Sequence, residues 1–165
     1  MQGPAPRFTA LVLAADRGPD DPVSRAAGVS HKCLAPLAGR TMLERVVTTL
    51  AASPCVERIA LSLRDPDIVG QVPALLSLAG SGRVVALPAA DSPSRSVLQG
   101  VAELGRPFPI LVTTADHALL NGAMVEHFCR ESLRSGASVT AGLTASATLL
   151  AHYPQSRRTY LRFRD

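Results

Sequence analysis

Tryptophan is absent, and aromatic side chains make up only 4% of the 165 residues. The core must therefore be built from Leu, Val and Ala, as in many α/β proteins. With so few aromatics, no stacking platform interleaves a basic groove, which argues against nucleic acid as a partner. Cys33, Cys55 and Cys129 are odd in number and lack C-x-x-C spacing. They exclude a disulfide framework and read as reduced thiols in a cytoplasmic protein. No apolar run approaches the length that spans a membrane. The run from Phe8 to Ala15 follows Arg7 like a signal peptide, but it is short and has an acidic sequel.

Several motifs are missing too. Without G-x-x-x-x-G-K-[ST] the chain is not a P-loop NTPase. Without G-x-G-x-x-G after the first strand it is not a dinucleotide oxidoreductase. The four histidines form no H-E-x-x-H and no compact Cys/His cluster, which argues against zinc. No G-x-S-x-G elbow supports a serine hydrolase.

What is present suits one globular domain: 47% hydrophobic and 18% charged residues, with net charge +4. Strand and helix patterns alternate. Phe8 to Ala15 reads as a strand buried on both faces. Thr41 to Ala52 reads as a helix with a Thr41/Glu44 capping box. Arg58 to Leu63 is the second strand. Asp65-Pro66 opens a helix that Pro73 should kink or break. Arg83 to Leu87 is the third strand. Ser92-Pro93 starts a helix expected to bury Val97, Val101 and Leu104. Pro109 to Thr114 is the fourth strand, and Asn121 to Ser135 the helix after it. Ser138 to Leu143 and Thr159 to Phe163 read as fifth and sixth strands. This rhythm predicts a mostly parallel sheet with helices on both faces.

In such sheets ligands lie at the carboxyl ends of strands. The first strand runs into a loop carrying Arg17, Gly18, Arg25 and Lys32, and Asp116 ends the fourth. Backbone N–H groups and cations on a flexible loop are what phosphates need. The residues alone leave two readings open: a phosphate loop or a surface loop with solvated cations. Asp116 by itself is equally a turn former or a helix cap.

LVLAAD, Arg25, Lys32 and PLAGRTMLERV together resemble the opening of the sugar-nucleotide-type nucleotidyltransferases. That superfamily includes molybdenum-cofactor guanylyltransferase-like and cytidylyltransferase enzymes. SRSV (Ser94 to Val97) is similar to the family's R-x-S-V segment, and LVTTADHALL to the strand whose terminal Asp binds magnesium. The resemblance implies a Rossmann-like three-layer α/β sandwich with a mostly parallel sheet, of the GT-A-like nucleotide-diphospho-sugar transferase fold. It implies Lys32 and Arg25 as the catalytic cations on the phosphates. Leu13, Ala14, Ala15, Asp16, Arg17 and Gly18 would cradle the nucleotide, with Ser94, Arg95 and Ser96 near the base. Asp116 would hold Mg2+.

The implied activity is transfer of a nucleoside monophosphate from CTP or GTP to a phosphorylated or hydroxyl acceptor, with release of pyrophosphate. The alternative is a non-catalytic nucleotide-binding or regulatory module of the same fold. The implied partners are a nucleoside triphosphate and a small-molecule acceptor, with no nucleic acid and no membrane. The chain departs from the family pattern at Asp16, which replaces the first Gly, and at His31, which replaces the Pro before Lys32. Asp16 would repel a triphosphate unless a metal or Arg17 intervenes.

Family enzymes continue well beyond this length and often supply a second acidic ligand there, so residues 1–165 are expected to form a single domain lacking the C-terminal portion. The basic tail, with Arg157, Arg158, Arg162 and Arg164, reads either as a solvated edge strand or as a wall attracting an acidic acceptor. An exposed terminal strand would leave a sticky edge, so homodimerisation is expected.

Overall fold

The computed structural model describes residues 6–15, 21–156 and 159–163. In chain order the elements are β1 (Phe8–Leu13), α1 (Pro22–Ala27), β2 (Pro36–Leu37), β3 (Arg40–Thr41), α2 (Met42–Ala52) and β4 (Val56–Leu63). Then come α3 (Pro73–Gly80), β5 (Val84–Pro88), α4 (Pro93–Glu103), β6 (Ile110–Thr114), α5 (Gly122–Ser135) and α6 (Ser146–His152). Two compact units divide the chain, Met1–Glu131 and Ser132–Asp165.

The first unit is built on a parallel sheet of order β5–β4–β1–β6. Five of the six β1 residues are buried, as expected of a strand apolar but for Thr9 with both its faces covered. Side chains alternate across the pleat, and the two faces differ in thickness. On one face Ala10, Val12, Ile59, Leu61 and Leu63 share a core with α2, α3 and α5. The α2 contribution is Leu43, Val46, Val47 and Leu50, all fully buried. Their i, i+3, i+4, i+7 spacing is the amphipathic signal read from the sequence. Each such side chain contributes about 1.5–3 kcal/mol by leaving water.

The other face is closed at Leu11 by α4. A Cβ at Gly100 would stand 3.1 Å from both Leu11 methyls, so the helix comes this close only because residue 100 has no side chain. The residues α4 buries are Ser96 and Gly100. Val97, Val101 and Leu104, the expected face, are only partly covered. Small residues at the contact set the helix down nearer the sheet than a ridge of Val would allow.

Helix ends follow local chemistry. Thr41 Oγ1 accepts from the Glu44 N–H at 3.0 Å, while the Glu44 carboxylate faces Arg40 at 3.7 Å. Pro73 does break the pattern begun at Pro66. A 3₁₀ stretch, Pro66–Gln71, ends at Val72, and α3 restarts with Pro73 in its first turn, where a missing N–H costs nothing.

Three expectations are corrected. Residues 22–27, read as loop, form α1. Asp21 caps it by accepting from the N–H groups of Val23 and Ser24, and Gly28 closes it in the left-handed region at φ 65°. Ser138 to Leu143 is not a strand: no sheet edge pairs with it among the described residues, and Val139 and Leu143 are 85% and 60% exposed. Thr159 to Phe163 is likewise not a strand, so the sticky terminal edge invoked for homodimerisation is not formed there. The second unit instead contains α6, whose Ala/Leu content suits a helix. Arg157, Arg158, Arg164 and Asp165 lie outside the described residues. None of the described helices is long and apolar enough to cross a membrane.

Candidate functional site

From β1 the sheet grows one way into β4 and β5 and the other way into β6. The strand order therefore reverses between β1 and β6, which opens a crevice beyond their carboxyl ends. Leu13 and Thr114 are register partners at the last position of each strand. The Ala115 N–H donates to the Leu13 carbonyl at 2.9 Å, so both chains leave the sheet side by side. Ala14 and Ala15 line one lip of the resulting cleft, and Ala115 and Asp116 the other. The cleft has a volume of about 540 Å³ and is also lined by Leu13, Asp21, Lys32, Cys33, Pro93 and Thr114.

Lys32 reaches the cleft from a 3₁₀ turn, Lys32–Leu34, in which Cys33 and Leu34 are buried anchors. Burying these two leaves the lysine side chain on the open side. Its Nζ lies 2.6 Å from Asp116 Oδ2, a short charge-assisted hydrogen bond across 84 residues. The Thr114 hydroxyl donates to the other carboxylate oxygen, Oδ1, also at 2.6 Å. Partial burial alone would raise the Asp116 carboxyl. The hydrogen bonds from Lys32 and Thr114, with the lysine charge, outweigh it and hold the group below the ordinary value of 3.8. The pair is partly open to solvent, with side-chain exposures of 31% for Lys32 and 43% for Asp116.

The remaining predicted residues divide in three. Leu13, Ala14 and Ala15 line the cleft. Arg25 stands exposed on α1 and does not line it. Ser94, Arg95 and Ser96 form the first turn of α4 next to the cleft-lining Pro93, but do not themselves line the cleft. Ser96 Oγ is engaged with the Ala90 backbone, accepting from its N–H at 3.0 Å and facing its carbonyl at 3.4 Å. Arg95 faces Asp91 at 3.7 Å. Asp16, Arg17 and Gly18 lie outside the described residues.

Sequence reasoning missed Asp21 and Thr114 as cleft residues. Asp21 carried a usable signal: Asp-Pro followed by Gly28 is a helix start and stop, the same Asp-Pro signature read at Asp65-Pro66. Thr114 carried none, because its role depends on where Asp116 turns back.

Asp116 and Thr114 offer hard oxygen donors, but no group of three or more His, Cys, Asp or Glu side chains gathers among the described residues. That donor set fits a cation such as magnesium, which keeps water and phosphate oxygens in its shell and takes one or two carboxylates from the protein. It does not fit a dedicated protein cage.

The structure is thus a parallel, doubly wound α/β domain with Lys32, Asp21 and Asp116 in a cleft at its switch point. The MobA-like NTP transferase domain model matches residues 10–162, and the chain belongs to that family. Among solved structures it is similar to a hypothetical transferase from Thermus thermophilus, with 23% identity and a TM-score of 0.60 over 96% of this chain and 60% of that one. A nucleotidyl transferase from Methanothermobacter thermautotrophicus gives 28% identity and a TM-score of 0.55 over 75% of this chain and 57% of the other. The 4-diphosphocytidyl-2C-methyl-D-erythritol synthase of Anaerococcus prevotii gives 16% and 0.59 over 86% and 60%. The chain thus spans about three fifths of the length of these proteins. No curated protein matches it.

Proposed function

We propose that this chain is a magnesium-dependent nucleotidyltransferase. It moves a nucleoside monophosphate from CTP or GTP to a phosphate- or hydroxyl-bearing acceptor and releases pyrophosphate. The observation that carries this reading is the 2.6 Å approach of Lys32 to Asp116 at the switch point. A cation and an anion donor from distant segments meet there, as a metal-bound polyphosphate would need.

In this reading the acceptor oxygen attacks the α-phosphorus in line, and the bond to the β-phosphate oxygen breaks. The residues contribute position and charge. Lys32 neutralises phosphate oxygens. Arg25 is assigned as the second cation, one turn into the helix that starts at the cleft-lining Asp21. The backbone of Ala14 and Ala15 receives the nucleotide, and Ser94 and Arg95 border the base. Ser96 holds the Ala90 loop against α4 and so shapes that end of the cleft. Asp116, steadied by Thr114, would hold the magnesium, which would supply Lewis-acid neutralisation of the phosphate charge.

The second reading, a nucleotide-binding module without turnover, is favoured by the small donor set around Asp116 among the described residues. Two measurements separate the two. A thermal-shift panel of the four nucleoside triphosphates with magnesium should give stabilisation by CTP or GTP. Pyrophosphate release across a panel of phosphorylated and hydroxyl acceptors should then follow for an enzyme. Binding without release would leave the module, and no shift with any nucleotide would overturn both.

A further inference from the structure

Away from the cleft, at the amino ends of the strands, two cysteines meet. Cys55 closes the turn between α2 and β4, and its carbonyl accepts the Phe8 N–H at 2.7 Å, where β1 begins. Val125 and Cys129, one turn apart, are the buried residues of α5. Cys129 belongs to the core that α2 and the sheet share, and Cys55 packs against that core, its sulfur hydrogen-bonded to Cys129. The two differ in access: Cys129 is 2% exposed, whereas Cys55 is partly open to solvent. We propose that Cys55 and Cys129 form a peroxide-oxidised dithiol, whose disulfide reversibly staples α5 to the α2–β4 turn. Nothing in this pairing depends on nucleotide chemistry at the cleft.

The difference in access gives the two sulfurs different parts. Oxidation needs a thiolate that a small oxidant can reach. Cys55 is the reachable sulfur, and the Ser53 hydroxyl, 3.1 Å from it, is placed to donate to its thiolate. That thiolate attacks hydrogen peroxide: an S–O bond forms, the O–O bond breaks, and hydroxide leaves. Burial, then the hydrogen bond and charge of Cys55, hold the Cys129 thiol protonated while the pair is reduced. Once Cys55 is a neutral sulfenic acid, that charge is gone. Cys129 gives its proton to hydroxide and attacks the Cys55 sulfur. The S–S bond forms, the S–O bond breaks, and the hydroxide released takes up the proton that Cys55 first lost. In sum, two thiols give up two protons and two electrons, and one peroxide becomes two waters. Contact between the sulfurs offsets the scarcity of the Cys129 thiolate, because the attack is intramolecular. The bond closes the chain from Cys55 to Cys129 around β4, β5, α4 and β6. It therefore restricts the unfolded state while joining groups already adjacent in the fold. A thiol reductant reopens it by exchange.

The probe is hydrogen peroxide in slight molar excess, added to the reduced full chain. Alkylation in denaturant and peptide mapping without reductant should find Cys55 joined to Cys129. The linked protein should melt roughly 5–10 °C higher than the reduced one, and dithiothreitol should restore both the thiols and the lower Tm. Cys129→Ala should stop at a Cys55 sulfenic acid, captured by dimedone, with no rise in Tm. Cys55→Ser should leave Cys129 unoxidised under the same dose. Melts of the reduced variants verify folding, and Cys55→Ser, at the partly exposed position, carries the test should Cys129→Ala not fold. Three results each overturn the staple: a wild type that ends as Cys55 sulfenic or sulfinic acid with no link to Cys129, a link that runs to Cys33 instead, or a linked form that melts no higher than the reduced one. Oxidation of Cys129 in Cys55→Ser at the wild-type rate overturns the assignment of Cys55 as the sulfur first attacked, and the proposal with it.

Discussion

Leu13 and Thr114 are register partners at the ends of two parallel strands, although 101 positions separate them. Because those strands end level, the residues that follow share one lip. Asp116 stands two residues beyond Thr114, and its carboxylate turns back to take the Thr114 hydroxyl. The place where Lys32 can meet it is thus set by the sheet register and by the 3₁₀ turn that buries Cys33 and Leu34.

The first prediction concerns turnover. Lys32→Ala and Asp116→Ala should each reduce the rate of pyrophosphate release by about 100-fold or more, the usual scale for one electrostatic contact to a reacting phosphate. Folding should persist, because a partly exposed ion pair contributes about 1 kcal/mol or less. Rate assays beside thermal melts check both halves. Wild-type turnover in Lys32→Ala would remove its phosphate role.

The second concerns pH. The Asp116 carboxyl is held below 3.8 in the folded protein, so the folded state binds its proton less readily than the unfolded chain. The stabilisation is therefore present above about pH 4 and is lost as pH falls through the folded value. Against Asp116→Asn, the wild type should keep a constant stability difference from about pH 5 to 7, narrowing below about pH 4. Urea titrations at a series of pH values read this directly, and a difference that widens on acidification would contradict the arrangement.

The third concerns the β2–β3 hairpin. Ala38 and Gly39 both take positive φ, 48° and 80°, the backbone that a two-residue turn between right-twisted strands needs. Glycine accepts it freely; alanine does not. Arg45 braces the turn by donating to the Leu37 and Ala38 carbonyls at 2.8 and 3.1 Å, contacts that no side-chain change at 38 removes. Ala38→Asn should therefore stabilise the protein by about 0.5–1 kcal/mol, or roughly 2–4 °C per kcal/mol in Tm. Ala38→Val should destabilise it.

The fourth concerns Cys129. Burial first, and then the hydrogen bond and negative charge of the neighbouring Cys55 sulfur, push its pKa up to about 12. Around neutral pH the reactive thiolate is therefore scarce. Alkylation of Cys129 should be negligible in the native protein and should follow global unfolding. Fast labelling of the folded chain, located by peptide mapping, would contradict this.

Much of the first unit was legible because its signals are local. Phe8 to Ala15 is an apolar run, Leu43, Val46, Val47 and Leu50 repeat with the helical period, and Ser92-Pro93 is a start signal whose side chain does cap α4. What failed was context. Val97 and Val101 looked like the packing face of α4, yet Gly100 and Ser96 occupy it, because closeness to Leu11 mattered more than hydrophobicity. Ser138 to Leu143 has a strand's composition, but a strand also needs an edge to pair with.

The linear order of residues determined the alternation of strands and helices, the mostly apolar β1, the caps at Asp65 and Ser92, and the kinds of side chain available for phosphate chemistry. These depend on interactions within a few residues, which a one-dimensional pattern records. Only the tertiary structure decided that Lys32, Thr114 and Asp116 form one hydrogen-bonded group, that Asp21 joins their cleft, and that Arg25 stands on an exposed helix. Those outcomes depend on strand order and register, set by burying both faces of β1 at once, and that choice is made by the whole core.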